Sequence, residues 1–177
     1  MTSIWIRPAV PEDAPALASV NVATWRAAYR GIIAADFLEN LNETKLEERW
    51  RQRLTSGESV TFVAVTDRGQ VVGYVNAGIE REGLKPQTGE IYAVYLLPAY
   101  HRQGVGKRLM RRAMRWLKSQ GMRACVVWVL EDNLPARQFY EALGGVLFRE
   151  QNITIGAQTL REVAYLWEDL DSVLNPG

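Results

Sequence analysis

The chain has 177 residues, 47% of them hydrophobic and 23% charged, with a formal net charge of +1, which is enough for one domain with a substantial core and short for two. The near-neutral charge provides no general field for nucleic acid, and the single cysteine, Cys125, excludes an intramolecular disulfide and a cysteine-based metal cluster. Because the first residues lack a leader pattern and no apolar run approaches about 18 residues, we expect a single cytoplasmic domain over residues 1–177 that binds neither membrane nor nucleic acid.

The first half of the chain passes from helical to strand patterning. Apolar residues recur at helical spacing after Pro11, and Asn42 can cap a second helix that Gly57 ends. Valine-rich segments around the turn at Gly69 then predict a hairpin. The predicted elements are a strand over residues 4–7, a helix over 11–31, a short helical piece over 35–41, a helix over 42–54, and strands over 60–66 and 71–79.

The second half of the chain predicts a parallel crossover followed by a closing hairpin. The run 124–130 is almost wholly apolar, as in a central strand buried on both faces. Asn133 and Pro135 can open a helix that ends at Gly144. The predicted elements are a strand over residues 90–97, a helix over 104–120, a strand over 124–130, a helix between 133 and 144, and strands over 146–155 and 159–168.

The turn before the predicted helix over residues 104–120 has the features of a phosphate site. The first N–H groups of a helix lack carbonyl partners and carry a partial positive charge, and an anion satisfies both. Gly104 and Gly106 have no Cβ, so a polyanion can approach the backbone, and Arg102 and Lys107 add full charges. A basic helix start with a flexible lead-in is the alternative.

Two kinds of nucleotide loop are excluded by the residues they would need. A dinucleotide fingerprint requires a third small residue where Leu109 stands. A nucleoside triphosphate loop requires Ser or Thr after Lys107, but Arg108 follows it. The glycine loop therefore fits neither nucleotide class.

Two segments in this order of elements resemble the GNAT superfamily of acetyl-coenzyme A dependent N-acetyltransferases. Residues 101–106, His-Arg-Gln-Gly-Val-Gly, are similar to its motif A, with His101 where Gln or Arg is usual. Residues 133–144, Asn-Leu-Pro-Ala-Arg-Gln-Phe-Tyr-Glu-Ala-Leu-Gly, look like its last helix, with Gly145 where an aromatic residue usually follows. The resemblance covers nearly the whole chain. It implies an α/β (α+β) fold with a mixed, mostly antiparallel sheet of six to seven strands flanked by four helices, in which a bulge splays the fourth strand from the parallel fifth.

The resemblance also implies acetyl-CoA as cosubstrate and no metal. The diphosphate of the coenzyme is expected on the glycine loop, and its amide-like pantetheine arm along the backbone of the fourth strand. The side chain of Asn133 can hydrogen-bond this arm, although a plain helix cap is the alternative role. The expected coenzyme-binding residues are Val94, Tyr95, Leu96, Arg102, Gln103, Gly104, Val105, Gly106, Lys107, Asn133, Ala136 and Tyr140.

Acetyl transfer to an amine needs a neutral amine, a stabilised oxyanion and a proton for the departing thiolate. By the resemblance, Tyr140 is the general acid near the sulfur, and Glu90 on the fourth strand is the base that deprotonates the ammonium. Strand alternation places Glu90 on the face of Tyr92 and Val94 unless the bulge shifts the phase. A core position for Tyr140 and a simple strand-start charge for Glu90 are the alternatives.

The acceptor pocket is expected on the first two helices, where the lining candidates are Trp25, Arg26, Tyr29 and Trp50. Trp25 and Tyr29, together with Glu90 of the fourth strand, are the expected substrate-binding residues, and core packing is the alternative for the aromatics. Cys125 lies in a buried strand without an evident activating base, so we expect it to pack in the core and not to carry an acyl group. The predicted function is direct transfer of acetyl from acetyl-CoA to a primary amine of a small molecule or a peptide N-terminus. A non-catalytic acyl-CoA-binding or sensing domain is the alternative, and a homodimer is left open.

Overall fold

The computed structural model describes residues 2–177, and over that range the chain forms seven strands and six helices. The elements are β1 (Ile4–Pro8), α1 (Ala14–Ala28), α2 (Ala35–Glu39), α3 (Glu43–Ser56), β2 (Ser59–Thr66), β3 (Val71–Ile79), β4 (Thr88–Leu96), α4 (Val105–Ser119), β5 (Ala124–Leu130), α5 (Leu134–Ala142), β6 (Val146–Ile155), β7 (Gln158–Trp167) and α6 (Leu170–Leu174).

The predicted elements are present, with three differences. All seven strands end within two residues of the predicted bounds. Helix α1 begins later than predicted because residues 11–13 form a 3₁₀ turn, and α2 is shorter than expected. Helix α6 was not predicted, because five residues carry too little periodicity to be recognised.

The strands join in one sheet with the order β1-β2-β3-β4-β5-β7-β6. Among the strand pairs of residues 2–177, β4 and β5 are parallel and the other pairs are antiparallel. The closing hairpin inserts β7 beside β5 and leaves β6 at the edge of the sheet. This arrangement confirms the mixed, mostly antiparallel fold predicted from the sequence.

Two layers of helices cover the sheet. On one face, Leu109 of α4 and Tyr140 of α5 lie in the same core as Ile91 of β4. On the other face, Leu17 of α1 and Trp50 of α3 pack with the residues of β2 and β3. We call these the α4 face and the α1 face. The sheet residues that belong to these two cores face one or the other according to their phase along the strand.

Strand β4 contains a bulge at Tyr92. Ala77 of β3 pairs with Ile91, whereas the preceding residue, Asn76, pairs with Ala93, so Tyr92 is the extra residue. Ile91 and Val94 both pack in the core of the α4 face, although they are three residues apart. The bulge thus inverts the phase of the strand between its two halves.

The bulge separates Glu90 from Val94. Because Glu90 precedes Ile91 in regular alternation, it lies on the α1 face. Glu90 and Tyr92 contact the same side chain. The guanidinium of Arg81 pairs with Glu90 and lies 4.3 Å from the centre of the Tyr92 ring. Glu90 and Tyr92 are therefore close together, as predicted, whereas Val94 lies on the opposite face of the sheet.

Strands β4 and β5 diverge beyond the bulge. Their pairing ends at Ile91 and Val127, so residues 92–96 have no β5 partner. The N–H of Leu97 donates to the carbonyl of Val72 in β3. Since successive backbone groups point to opposite sides of a strand, the groups of Val94 and Leu96 point away from β3. We call the gap they face, between β4 and β5, the slot.

Gly145 is packed against the indole ring of Trp167. A Cβ at position 145 would lie 2.9 Å from Cζ2 of Trp167 and 3.0 Å from the carbonyl oxygen of Tyr140. The indole is held in place because its Nε1 donates to the carbonyl of Leu143 at 3.0 Å. An aromatic ring from β7 thus occupies the space beside position 145, which explains a glycine where the resemblance led us to expect an aromatic residue.

We expect Gly145→Ala to lower the free energy of unfolding by about 1–3 kcal/mol, the usual cost of overpacking a core. Urea unfolding measures the effect. In a Trp167→Phe background the ring is smaller, so the same substitution should cost less, and a double-mutant cycle gives the difference. An equal cost in both backgrounds would show that the Tyr140 carbonyl, and not the indole, excludes the methyl group.

Candidate active site

The turn into α4 presents consecutive backbone N–H groups. Arg102 and Gly104 both have left-handed backbone, with φ of 59° and 77°, a geometry in which neighbouring N–H groups converge on an anion. No side chain caps the helix, and within residues 2–177 the N–H groups of 102–107 donate no backbone hydrogen bond. A Cβ at position 104 would meet no atom within 4 Å. The predicted loop is therefore an open site with free donors.

The remaining loop residues differ in their surroundings. Arg102 and Lys107 are exposed, and Val105 is buried in the core of the α4 face. The side chain of Gln103 donates to the carbonyl of Ala99 at 3.2 Å and so braces the loop itself. Only the two cations thus offer their side chains to an incoming anion among the predicted loop residues.

Two contacts hold the loop against its neighbours. A Cβ on Gly106 would lie 3.2 Å from Cζ of Phe139 in α5, so the helix start packs closely on that ring. His101 Nε2 lies 2.7 Å from the carbonyl oxygen of Leu96 and donates to it, because a carbonyl can only accept. This bond occupies one of the backbone groups that face the slot. The N–H of Leu96 and both groups of Val94 remain.

Helix α5 brings three predicted residues to one side. Asn133, Ala136 and Tyr140 are spaced by three and four positions, which places them on one helix face. Asn133 Oδ1 accepts from the N–H of Ala136 at 3.4 Å. The side chain therefore caps the helix, which was the alternative role considered for it. Its amide nitrogen has no partner among residues 2–177 and stays available as a donor. Capping and ligand binding are therefore compatible.

The Tyr140 ring is buried, with 5% of its surface exposed, but its hydroxyl makes no hydrogen bond within residues 2–177. Burial raises the pKa of Tyr140 well above its ordinary value, and the neighbouring Tyr29 adds to this effect. Burial also raises the pKa of Tyr95, with Tyr29 and Tyr140 among the contributing neighbours. Tyr140 packs in the core of the α4 face, whereas Tyr95 packs on the α1 face, where its hydroxyl is bonded to that of Tyr29.

Glu90 is almost wholly buried, with 1% of its surface exposed. Its Oε2 lies 2.6 Å from the guanidinium of Arg81, and its Oε1 accepts from the backbone N–H of Arg81 at 3.3 Å. Burial lowers the pKa of the Arg81 guanidinium. The hydrogen bond to Glu90 and the negative charge of Glu90 outweigh this effect, so the pKa is raised overall. The predicted base is therefore a buried member of an ion pair.

The two predicted acceptor aromatics form a cluster with Tyr95. Trp25 and Tyr29 meet edge to face with ring centres 5.0 Å apart. The hydroxyls of Tyr29 and Tyr95 are 2.8 Å apart and hydrogen-bonded. The backbone of Tyr95 pairs with β3, and its side chain lies on the α1 face. The sequence grouped Tyr95 with the coenzyme residues, but its side chain is placed with Trp25 and Tyr29.

Glu162 on β7 is a carboxylate that was not among the predicted site residues, and the charge of Glu90 acts on it. It pairs in register with Leu130 of β5 and accepts from the side chain of Gln151 at 2.7 Å. Burial raises its pKa, the Gln151 hydrogen bond opposes the rise, and the charges of Glu90 and Glu82 add to it. The sequence signal that could have identified it is a carboxylate directly before the buried half of β7, since charged residues are seldom buried without a partner.

Cys125 is fully buried in the core, which agrees with the packing role expected for it. Burial raises the pKa of its thiol well above the ordinary value, so the reactive thiolate is disfavoured. Among residues 2–177, no group of three or more His, Cys, Asp or Glu side chains could hold a metal ion. Over the same range, every helix is too short or too polar to cross a membrane.

Comparison with known proteins connects this geometry to a family. Residues 26–145 match the Acetyltransferase (GNAT) family. The chain is 35% identical over 170 residues to the uncharacterized N-acetyltransferase YuaI of Bacillus subtilis (strain 168), and the match covers 96% of each chain. It is 25% identical over 142 residues to a spermidine N(1)-acetyltransferase of Thermoplasma acidophilum, covering 78% of this chain and 85% of that one.

Among solved structures, the fold is similar to that of the PaiA N-acetyltransferase from Thermoplasma acidophilum in complex with coenzyme A. The TM-score is 0.70 at 24% identity, with 90% of this chain and 98% of that chain covered. The family match spans more than half of this chain, and the Bacillus relative is matched over nearly its whole length. This protein therefore belongs to the GNAT acetyltransferase family and is an N-acetyltransferase that uses acetyl-CoA.

Proposed function

We propose that the protein passes the acetyl group directly from acetyl-CoA to a primary amine of a small molecule or a peptide N-terminus, within one ternary complex. The ammonium first loses one proton to a protein base or water. A C–N bond then forms at the acetyl carbonyl as the C–S bond breaks, the thiolate takes a proton from an acid, and the second proton that the nitrogen loses on becoming an amide restores that acid. The observation that carries this proposal is the slot: its edge strand β4 contacts the glycine loop through His101, shares a core with Tyr140 through Val94, and bonds to Tyr29 through Tyr95.

The residues predicted to hold the coenzyme carry the groups that such a ligand needs. The free N–H groups of 102–107, with Arg102 and Lys107 beside them, suit a diphosphate. The backbone groups of Val94 and Leu96 and the amide nitrogen of Asn133 suit the amides of a pantetheine arm. When bound, acetyl-CoA supplies an activated thioester, and Tyr140 is proposed to give the proton that the thiolate takes.

The acceptor is proposed to bind on the α1 face, against Trp25 and Tyr29. Glu90 is proposed to accept the ammonium proton directly or through water, and Glu162, whose pKa is raised by burial and by the charge of Glu90, is proposed as the second candidate. The relative named for its action on spermidine supports a small-molecule amine as acceptor. The seven strands form a single sheet, which supports one domain over residues 1–177. A cytoplasmic location, expected from the lone cysteine, is proposed with it.

A panel of amines tests the proposal, with free thiol release from acetyl-CoA as the readout. We expect at least one amine to raise thiol release above the hydrolytic background. Intact acetyl-CoA binding without any such release would instead favour the non-catalytic sensing domain, which needs the glycine loop but neither Tyr140 nor Glu90. An absence of acetyl-CoA binding would contradict both the transferase and the sensing domain.

We expect Gly104→Val to weaken acetyl-CoA binding by roughly tenfold or more, equivalent to about 1.4 kcal/mol or more. The valine side chain would project beside the N–H groups that are proposed to hold the diphosphate. Isothermal titration calorimetry on the folded variant measures the affinity.

Gly121→Val is the matched control for backbone strain. Gly121 follows α4 and has φ of +87°, and a Cβ added there, as at Gly104, would meet no atom within 4 Å. Both variants should therefore lose stability through the same left-handed strain, but only Gly104→Val should lose affinity. Equal affinity in the two variants would contradict the placement of the diphosphate.

Tyr140→Phe should lower kcat by roughly 10²–10⁴-fold, the usual contribution of a general acid. Coenzyme affinity should be nearly unchanged, because the substitution removes only a hydroxyl. That hydroxyl has no partner within residues 2–177, so the helix should also keep its stability. Stopped-flow or steady-state kinetics with chemistry rate-limiting give kcat.

Tyr165→Phe supplies the control from the same aromatic cluster. The Tyr165 hydroxyl accepts from Arg137 at 2.9 Å and donates to Glu141 at 2.6 Å, so it has a structural role. Its loss should cost about 1 kcal/mol of stability and leave kcat near that of the parent. If Tyr140→Phe behaves in the same way, Tyr140 is a core residue and not the acid.

Glu90→Gln should reduce kcat/KM most at neutral pH and partly recover in alkaline buffer. An alkyl ammonium has a pKa of about 10, so at high pH the amine is already neutral and the base is no longer needed. The amide keeps the size of the side chain but cannot accept a proton. The measurement is a pH profile of kcat/KM from about 6 to about 10, which ends near the pKa of the alkyl ammonium.

Glu162→Gln provides the comparison that decides between the two carboxylates. Alkaline recovery in Glu90→Gln alone supports Glu90 as the base. A profile for Glu90→Gln that is parallel to the parent profile and merely lower would show that Glu90 only orients the substrate. Alkaline recovery in Glu162→Gln alone would transfer the role to that residue.

A further inference from the structure

Two tyrosine hydroxyls meet on the α1 face and share a single hydrogen bond. The hydroxyl oxygens of Tyr29, at the end of α1, and of Tyr95, in β4, are 2.8 Å apart. Each phenol has one proton to donate and also accepts. In the part of the chain that the structure describes, neither hydroxyl makes another hydrogen bond. One of the two O–H groups therefore has no acceptor in the fold.

The rings that carry these hydroxyls belong to a cluster with members on both edges of the slot. Tyr95 follows Val94 in β4, beyond the last residue that pairs with β5. Leu130 lies in β5, on the other edge of the slot and also beyond the paired residues. Tyr29 and Leu130 are in one hydrophobic cluster, and Tyr95 packs against it. The hydroxyl pair is thus part of the packing that joins β4 to β5 where their backbones have separated.

Neighbouring rings hold the two phenols in place. The ring centres of Trp25 and Tyr29 are 5.0 Å apart, and those of Trp25 and Tyr95 are 6.5 Å apart. On its other side, the Tyr95 ring lies 5.8 Å from the ring of Tyr74. A donor that is already held by packing needs little reorganisation to receive a developing charge, and its hydrogen bond is stronger where water is scarce. The hydroxyl pair has both properties.

Both phenols keep their protons at neutral pH. Burial raises the pKa of Tyr29, and its hydrogen bond to Tyr95 only partly opposes this rise. Burial also raises the pKa of Tyr95, and the neighbouring Tyr29 and Tyr74 add to the rise. A phenol with a raised pKa remains an O–H donor in neutral and mildly alkaline buffer. The pair is therefore suited to donate a hydrogen bond and not to act as a base.

The proposed transfer still needs a donor of this kind. Glu90 is proposed for the ammonium proton and Tyr140 for the thiolate, but the oxygen on which negative charge develops has no assigned partner. Val94 packs in the same core as Tyr140 on the α4 face, whereas Tyr95 packs on the α1 face. A thioester in the slot would therefore have Tyr140 on one side and the hydroxyl pair on the other.

We infer that Tyr95 donates its O–H to the acetyl carbonyl oxygen of acetyl-CoA, and that Tyr29 is a positioning residue that donates to Tyr95. Tyr95 takes the first role because it belongs to the strand that borders the slot. This inference rests on the proposed function and adds the donor for its oxyanion. As the amine attacks, the electron pair of the C=O bond moves to the oxygen, and it returns when the C–S bond breaks. The phenol keeps its proton throughout.

The role of Tyr29 follows from the shared hydrogen bond. A hydroxyl that accepts one hydrogen bond becomes a better donor of the next, because the two bonds polarise each other. The bond from Tyr29 also fixes the direction in which the Tyr95 proton points. Tyr29 thus acts on the carbonyl through Tyr95.

The carbonyl band of bound acetyl-CoA tests this contact without any acceptor. Infrared difference spectra of acetyl-CoA that is isotope-labelled at the acetyl carbonyl carbon give the C=O stretch of the bound thioester. A hydrogen bond weakens the C=O bond, so we expect the band of the parent complex at lower wavenumber than that of the Tyr95→Phe complex. Equal band positions in the two complexes would overturn the inference.

Kinetics measure what the contact contributes to the rate. Tyr95→Phe should lower kcat by roughly 10²–10³-fold, as the removal of one oxyanion donor does. The KM of the amine and the affinity for acetyl-CoA should be nearly unchanged, because the ring remains in place. Tyr29→Phe should lower kcat less, since Tyr95 then keeps its O–H and loses only the bond that orients it.

Tyr74→Phe is the matched control from the same group of rings. The Tyr74 ring is buried and contacts Tyr95, but its hydroxyl donates to the side chain of Asn21 at 3.3 Å. This variant should leave the carbonyl band and kcat near those of the parent. Equal losses of kcat in Tyr74→Phe and Tyr95→Phe would overturn the inference, because the hydroxyls would then contribute only to packing.

The two readouts separate this inference from the proposed function. If acetyl-CoA binds but no amine in the panel is acetylated, the proposed function fails, and the carbonyl band still decides whether Tyr95 contacts the thioester. If amines are acetylated but the band is the same in the parent and in Tyr95→Phe, the inference alone fails.

Discussion

The divergence of β4 from β5 is the constraint on which the rest of the structure depends. A backbone N–H or C=O withdrawn from water without a partner costs about as much free energy as a lost hydrogen bond. A gap inside a sheet is therefore stable only where solvent, side chains or a ligand satisfy its edges. His101 satisfies the carbonyl of Leu96, and the groups of Val94 suit a ligand whose own amides continue the sheet.

The bulge at Tyr92 determines which side chains meet at this gap. Without the extra residue, Val94 would follow Glu90 onto the α1 face; with it, Val94 turns to the α4 face. Val94 then packs in the same core as Tyr140, whereas the next residue, Tyr95, packs on the α1 face and bonds to the hydroxyl of Tyr29. One inserted residue in one strand thus sets which of the two cores each residue after it faces.

Local signals in the sequence predicted most of the fold, and nonlocal contacts account for what was missed. The glycine loop and the cap at Asn133 are contained within a few consecutive residues, so their positions could be predicted. The position of the bulge depends on the register with β3, the pair between Arg81 and Glu90 spans a turn, and Glu162 comes from the far end of the chain. The spacing of residues along the chain does not predict these contacts. It does not predict the position of the Tyr95 side chain either, because that side chain is hydrogen-bonded to the distant Tyr29.

The charge of the buried Glu90 is balanced at one ion pair. Arg81 compensates the buried Glu90, which would otherwise be costly to bury. On the sheet side, burial and neighbouring carboxylates raise the pKa of Glu162; on the α3 side, burial and neighbouring guanidiniums lower the pKa of Arg53. Burial thus opposes the charged form of both groups, whereas Glu90 keeps a guanidinium partner at 2.6 Å.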